Sequence, residues 1–394
     1  MKKILIIGAG FLQDFVIQKS VKMGYETLAV DADPNAIGFK HASKYKVINI
    51  VDKEACLEYA MEEQIDGVLT AATDYGVLTV SYIAEKMHLP GLNYISAELI
   101  KNKYKVRKCL YENHVDDTEK AYEINSETDL KSLSQELEYP VIVKPCDGSG
   151  SRGISRVDNA DDLITACQYA MEGSITHRAE IEKFIIGDEY GAETLVSNGC
   201  VNVLGIMKKY MTEPPYYAEL GHSIPCGLPI EIEQKAIKCV ESAVKALGIN
   251  HGSVNMDMKI TSDGKVHIID IGARMGGNMI GPCIIPYGTG LDYVGNMIRN
   301  AVNDSLDWTV GKKAAVSSRL LAFKGGNVKY LPDFEILSSK NNVEIYHHIE
   351  LNQNVNEYHT NLDGCGYVIA CREDIDSAVS VAIDVLYKIE NELF

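Results

Sequence analysis

The sequence has no Cys-x-x-Cys pair and no zinc-like cysteine spacing, although it contains ten cysteines. That excludes a disulfide framework or a zinc site on the usual patterns. Residues such as Cys56, Cys109, Cys146 and Cys365 read instead as reduced core positions of a cytosolic protein. Positive charge is scarce: 38 Lys and Arg face 55 Asp and Glu, a formal net charge of −17. A chain so acidic is not expected to wrap a nucleic acid. A small anion would need a locally positive pocket, which makes the few lysines at glycine-rich turns informative. No apolar run approaches the ~20 residues that span a bilayer. Met1 to Gly10 leads into a glycine turn and not a cleavage site, so the expectation is a cytoplasmic protein with no membrane partner. Internal repeats and low-complexity segments are absent too.

What is present is a globular composition, 46% hydrophobic and 24% charged over 394 residues, enough for two or three compact units. The first ninety or so residues alternate apolar runs (Lys3–Ile7, Glu26–Val30, Lys46–Ile50, Gly67–Ala71) with amphipathic ones (Asp52–Gln64, Gly76–Met87). Such alternation predicts a doubly wound parallel sheet covered on both faces. Ser96 is expected to cap a helix running to about Asn113. From Tyr139 the signals become antiparallel, with strands at Tyr139–Pro145, Gly153–Val157, Ala179–Phe184, Tyr190–Val196 and Val201–Lys209. Helices are expected at Ala160–Met171, at Glu231–Leu247 ended by Gly248, and at Gly290–Val302. The last eighty residues read as a small α+β unit, with strands near Ala315–Phe323 and Gly366–Ala370 and a final helix from Ile375 to Asn391. The expected fold class is thus α/β and α+β.

Gly8-Ala9-Gly10 follows a strand, and Asp31 ends the next one, which is half of a dinucleotide fingerprint. The third glycine position is Gln13, so the tight turn of any doubly wound sheet is the better reading. A second glycine loop is more informative. Val141-Ile-Val-Lys144-Pro145 leads into Asp147-Gly148-Ser149-Gly150-Ser151-Arg152-Gly153 between two strands, with no Walker-type GK[ST] opening a helix. Glycine backbone there can cradle a polyphosphate, and Lys144 in an apolar run needs an anionic partner. Read alone, the segment fits a flexible hairpin with a snorkelling lysine equally well.

The strongest constellation runs from Ser253 to Gly277. Asp263-Gly264 is the preferred dipeptide of a two-residue type I′ hairpin. With Ser262 facing Lys265, Asp257 falls opposite Asp270 and Asn255 opposite Gly272, while Met256, Met258, Ile269 and Ile271 turn to the other face. Directly opposed carboxylates repel, so the register asks for a divalent cation between them; the alternative is two solvated surface residues or a longer loop. Arg274, ahead of Gly276 and Gly277, can stabilise a transferring phosphoryl group or tetrahedral anion, or it can be a plain surface ion pair.

Lys144 with its glycine loop, Glu182-Lys-Phe-Ile185, Gly187-Asp-Glu189 and Asp257…Asp270…Arg274 resemble, in order and spacing, the ATP-grasp superfamily. The chain looks most like its carboxylate–amine (L-amino-acid) ligase branch. The resemblance implies a pre-ATP-grasp domain at 1–95, an ATP-grasp domain at 96–310 (a nucleotide lid at about 115–185, a catalytic part at about 186–310) and a ligase subdomain at 311–394. It implies ATP and Mg²⁺, or Mn²⁺, as cofactors. Lys103 and Lys144 would reach the nucleotide, with Gly148, Ser149, Gly150 and Ser151 over the phosphates. Glu182, Lys183, Phe184 and Ile185 would form the adenine hinge, and Glu189 would bind ribose. Asp257 and Asp270 would hold the metal, and Arg274 would steady the acyl phosphate. Glu219 and His222 would line the substrate pocket with Arg274, Gly276, Gly277 and Asn278; read by itself, His222 is an ordinary loop histidine. Family members usually carry Glu at both metal positions and Asn two residues after the second. Here Asp257, Asp270 and Gly272 stand there, and Asn255 is the expected substitute oxygen.

The expected reaction is amide formation between a small carboxylic acid and an amine or amino acid through an acyl phosphate, releasing ADP and phosphate. Competing readings are an ATP-dependent carboxylase of biotin or purine-biosynthesis type, a nucleotide-binding protein without turnover and, more distantly, a nicotinamide oxidoreductase. A homodimer is the commoner arrangement in the superfamily.

Overall fold

The first apolar runs pair side by side: β1 (Lys3–Ile7), β2 (Glu26–Asp31), β3 (Lys44–Val47) and β4 (Gly67–Thr70) form a parallel sheet in the order β3-β2-β1-β4. The computed structural model describes residues 1–147, 153–214 and 216–394. Ile4 to Ile7 of the inner strand are fully buried, as helices on both faces require. β3 starts two residues earlier than the sequence suggests and is exposed throughout. It is an edge strand, where alternating lysines discourage further pairing. The helix Lys53–Glu63 is capped by Asp52, whose carboxylate accepts from Ala55 N–H at 3.1 Å.

The helix expected from Ser96 to Asn113 is two helices, Tyr94–Ile100 and Lys103–Glu112. Ser96 is not a cap: its hydroxyl donates to Gly248 C=O at 2.8 Å. Asn102 caps the second helix instead and sets Lys103 at its first position.

A second, antiparallel sheet contains β5 (Tyr122–Ile124), β6 (Val141–Pro145), β7 (Ser155–Val157) and β8 (Ala179–Lys183), in the order β5-β8-β6-β7. The third has eight strands. β9 (Asp188–Ser197), β10 (Cys200–Met211), β11 (Glu219–Ile224), β12 (Gly252–Ile260) and β13 (Val266–Gly272) are joined by β14 (Ala315–Leu320), β16 (Val343–His347) and β18 (Gly366–Arg372), in the order β13-β12-β9-β10-β11-β14-β18-β16. A small ribbon, β15 (Gly326–Asn327) with β17 (Asn354–Val355), lies outside it. The expected helix Gly290–Val302 runs from Tyr293 to Ala301 behind an Asp292 cap, because Gly290 at φ +76° closes the preceding turn.

The β12–β13 hairpin departs from its expected form in an instructive way. Its tip is a three-residue loop: Thr261, not Ser262, faces Lys265, with Thr261 N–H donating to Lys265 C=O at 3.0 Å. That loop alone would slip the ladder by one residue and turn Asp270 toward the core. A bulge between Asp257 and Met258 absorbs the slip, so that Ile260 pairs with Val266 and Met258 with Ile268, yet Asp257 still pairs with Asp270 and Asn255 with Gly272. The bulge also exchanges core residues: Ile268, not Ile269, joins Met256, Met258 and Ile271 in the buried cluster.

Candidate active site

One face of the large sheet carries most of the singled-out side chains, because residues alternate along each strand. On β9, Glu189, Gly191 and Glu193 stand opposite Lys259, Asp257 and Asn255 of β12. Asp270 and Gly272 continue the rows on β13, and Lys209 of β10 faces His222 of β11. Above this face opens a cleft of about 700 Å³ whose lining includes Lys103, Glu219, His222, Asn255, Asp257, Asp270, Arg274, Gly277 and Asn278.

The two aspartates are already engaged with ammonium groups. Lys103 Nζ lies 2.5 Å from Asp270, and Lys209 Nζ lies 2.8 Å from Asp257 and 2.6 Å from Glu219. Burial pushes the Asp257 carboxyl up to about 6; Lys209 opposes the rise and Glu219 adds to it. Loss of water works the same way on Asp270, but the Lys103 ammonium prevails and holds it below the usual range. Asp270 is half exposed, opening onto the cleft. Among the described residues no group of three His, Cys, Asp or Glu side chains could hold a metal. A cation here would rest on two carboxylates and the Asn255 amide, a hard-oxygen set that fits Mg²⁺ keeping several of its waters.

Arg274 folds back over Gly272. Its Nε and one terminal nitrogen grip both oxygens of Asp74, at 3.0 and 3.1 Å, and the other terminal nitrogen donates to Met275 C=O at 3.3 Å. A Cβ on residue 272 would lie 2.9 Å from the guanidinium carbon and 3.0 Å from Asp74 Oδ1. A side chain at position 272 would therefore require Arg274 and Asp74 to shift.

Lys144, Glu182 and Glu189 do not line the cleft. Lys144 Nζ donates to Glu182 at 2.9 Å, and Arg107 approaches the same carboxylate at 3.5 Å. Burial disfavours the Glu182 anion, yet Lys144 and then Arg107 hold its carboxyl well below the usual range. Of the expected hinge, Phe184 N–H is committed to Pro140 C=O at 3.0 Å, and Lys183 pairs with Glu119 at the surface. Glu189 lies 3.5 Å from Lys259. Gly276 sits beneath the cleft, donating to Glu193 at 3.0 Å. The expected phosphate residues Gly148, Ser149, Gly150 and Ser151 lie outside the described residues.

His222 is not a loop residue: it is strand-borne and 2% exposed. Burial lowers its pKa to about 4, against the pull of Glu219, so the ring is neutral at neutral pH. Asn278, at φ +49°, takes a left-handed conformation that asparagine tolerates, and its amide donates to Glu219. The pocket's charge is not positive as expected. Four cations (Lys53, Lys101, Lys103, Arg274) face five carboxylates (Asp74, Asp147, Glu219, Asp257, Asp270) along the described lining.

Sequence reasoning missed Lys209, Asp74 and Glu193. Two signals were available: charges inside the apolar β9 and β10 runs, and an acid in the loop after a parallel strand, where such sheets carry their ligands.

Residues 137–282 match the ATP-grasp domain family. An uncharacterized protein, y4rH, of Sinorhizobium fredii is 26% identical over 272 residues, covering 68% of this chain and 55% of its own length. A formate-dependent phosphoribosylglycinamide formyltransferase of Prochlorococcus marinus is 27% identical over 190 residues, 47% of each chain. The chain thus spans about half the length of these two relatives. The crystal structure of an L-amino acid ligase from Bacillus licheniformis superposes with a TM-score of 0.84 at 22% identity, covering 98% of this chain and 97% of that one, a likeness of fold. Residues 137–282 thus match an ATP-grasp domain, and the chain as a whole shares the fold of the L-amino acid ligase structure.

Proposed function

We propose that the protein is an ATP- and Mg²⁺-dependent carboxylate–amine ligase that activates a small acid as an acyl phosphate and passes it to an amine, releasing ADP and phosphate. The observation that carries this reading is the opposition of Asp257 and Asp270 on the cleft face, with Asn255 beside them and Arg274 above. The charge count supports it. A cleft with more carboxylates than cations repels a triphosphate, and a divalent ion reverses the balance. Bound there by Asp257, Asp270 and the Asn255 oxygen, Mg²⁺ would neutralise phosphate charge.

The chain's own groups supply the rest. Lys103 holds anionic oxygens of the nucleotide in line, Lys144 joins it on release from Glu182, and Arg274 stabilises the anion that develops as the acyl phosphate forms and collapses. Neutral His222 and the Glu219–Asn278 pair line the side of the pocket where an amine would approach. We read Glu182 to Ile185 and Glu189 as the nucleoside side of the site, and the cytoplasm, where ATP is supplied, as the place of work.

The name of the formyltransferase relative favours a second reading, in which the acid is formate or another one-carbon acid such as bicarbonate. Phosphate release across a matrix of acids (formate and bicarbonate included) and amines, with and without Mg²⁺, tests both. Amine- and Mg²⁺-dependent release is expected, and Asp270→Asn should lower it at least ~100-fold. Release untouched by Asp270→Asn would remove the proposal.

A further inference from the structure

Glu193 is wholly buried at 0% exposure, yet among the described residues its hydrogen bonds come from neutral donors: Gly276 N–H at 3.0 Å, the Tyr293 hydroxyl, and Asn255 Nδ2 at 3.0 Å. Burying a carboxyl this way is expensive, which asks what the fold gains by it. A carboxylate only accepts hydrogen bonds, whereas a carboxamide has one donating and one accepting end. Glu193 therefore holds the NH₂ end of Asn255, and Oδ1 is left for the other side. Asn255 lines the cleft on the face it shares with Asp257, one ladder step from the Asp257–Asp270 pair. The residue across the ladder is Gly272, which has no side-chain oxygen to offer. The one amide oxygen adjoining the aspartates on these strands is that of Asn255.

We propose that Glu193 is a positioning residue that locks the Asn255 carboxamide with its oxygen toward the Asp257–Asp270 pair, so that this oxygen is the third protein donor to a divalent cation. The inference rests on reading that pair as a metal site, and adds what orients its neutral ligand. An unrestrained amide would turn either end to the cleft, and its NH₂ end cannot bind a cation. Outer partners of this kind orient metal ligands and tune their affinity.

The test uses Mn²⁺ with ADP and the full-length chain at about pH 8.5, where carboxyl groups are ionised, with free Mn²⁺ read by electron paramagnetic resonance. Asn255→Ala should weaken Mn²⁺ binding on the order of tenfold. Glu193→Gln should do the same, because glutamine can pair with either end of the amide. The double variant should be no weaker than either single one, since both remove the same oxygen. In the unmutated protein, the Asn255 carboxamide carbon resonance should shift when Mg²⁺ and ADP bind, a readout that does not depend on any variant folding. Wild-type Mn²⁺ affinity in Glu193→Gln, multiplying effects in the double variant, or an unmoved carbon resonance would each overturn the role given to Glu193. Asp270→Asn separates the two levels. If it binds Mn²⁺ as the wild type does, the metal site itself is misread; if it loses the ion while one of those results is found, only the role of Glu193 falls.

Discussion

At Lys209 one buried ammonium meets Glu219 at 2.6 Å and Asp257 at 2.8 Å, with Glu189 at 3.9 Å. Removing it leaves two carboxylates facing each other, which costs more than the pairing itself contributes. Lys209→Met should destabilise the fold by about 3 kcal/mol in urea denaturation, and adding Glu219→Gln should recover part of that loss. His222 gives a pH signature. Its ring is neutral in the fold, with a pKa lowered to about 4 by burial, whereas an unfolded histidine titrates near ~6.5. Between those values the unfolded chain takes up the proton and the folded chain does not. The contribution is therefore complete above about pH 6.5 and is lost as the pH falls toward 4, roughly 3 kcal/mol in all. Stability curves of His222→Gln and wild type should converge across that window; parallel curves would contradict the burial argument.

Elements set the positions from which these side chains act. Asn102 caps the helix Lys103–Glu112 through a hydrogen bond from Lys105 N–H at 2.9 Å, and Lys103 at the head of that helix reaches Asp270. Asn102→Ala should cost about 1 kcal/mol in thermal or chemical unfolding and weaken nucleotide binding, because the first turn that carries Lys103 frays. The β12–β13 hairpin shows how an element can be legible in outcome though not in detail. Alternation with a two-residue Asp263-Gly264 turn leads to opposed Asp257 and Asp270, a register that the fold reaches by a different turn. The three-residue tip and its compensating bulge, which together preserve that register, left no local mark in the sequence. β11 was missed as a strand because its six residues are short and mixed in polarity, and its pairing comes from β10 and β14 on either side.

Across the whole molecule, Asp74 joins the parallel sheet to the large one. It grips Arg274 from the loop after β4, beside Ala72 N–H, which donates to Met275 C=O at 3.1 Å. The Asp74 carboxylate is half exposed, so Asp74→Asn should change global stability by less than about 1 kcal/mol. Phosphate release should nevertheless fall roughly 10- to 100-fold, because the guanidinium loses its orientation. Equal losses in stability and activity would mean that the pair is structural only.

The sequence by itself determined the alternation of strands and helices, the shared face of Asn255 and Asp257 on β12, and the helix end at Gly248. Each of these depends on periodicity, a turn or a cap within a few residues. Only the tertiary structure decided that Arg274 meets Asp74, 200 residues away, that Glu193 lies 62 residues from Asn255 across a ladder, and that Lys209 settles between Glu219 and Asp257. A buried charge takes whichever partner the packing of distant strands brings within hydrogen-bonding reach, and that choice is made by the fold as a whole.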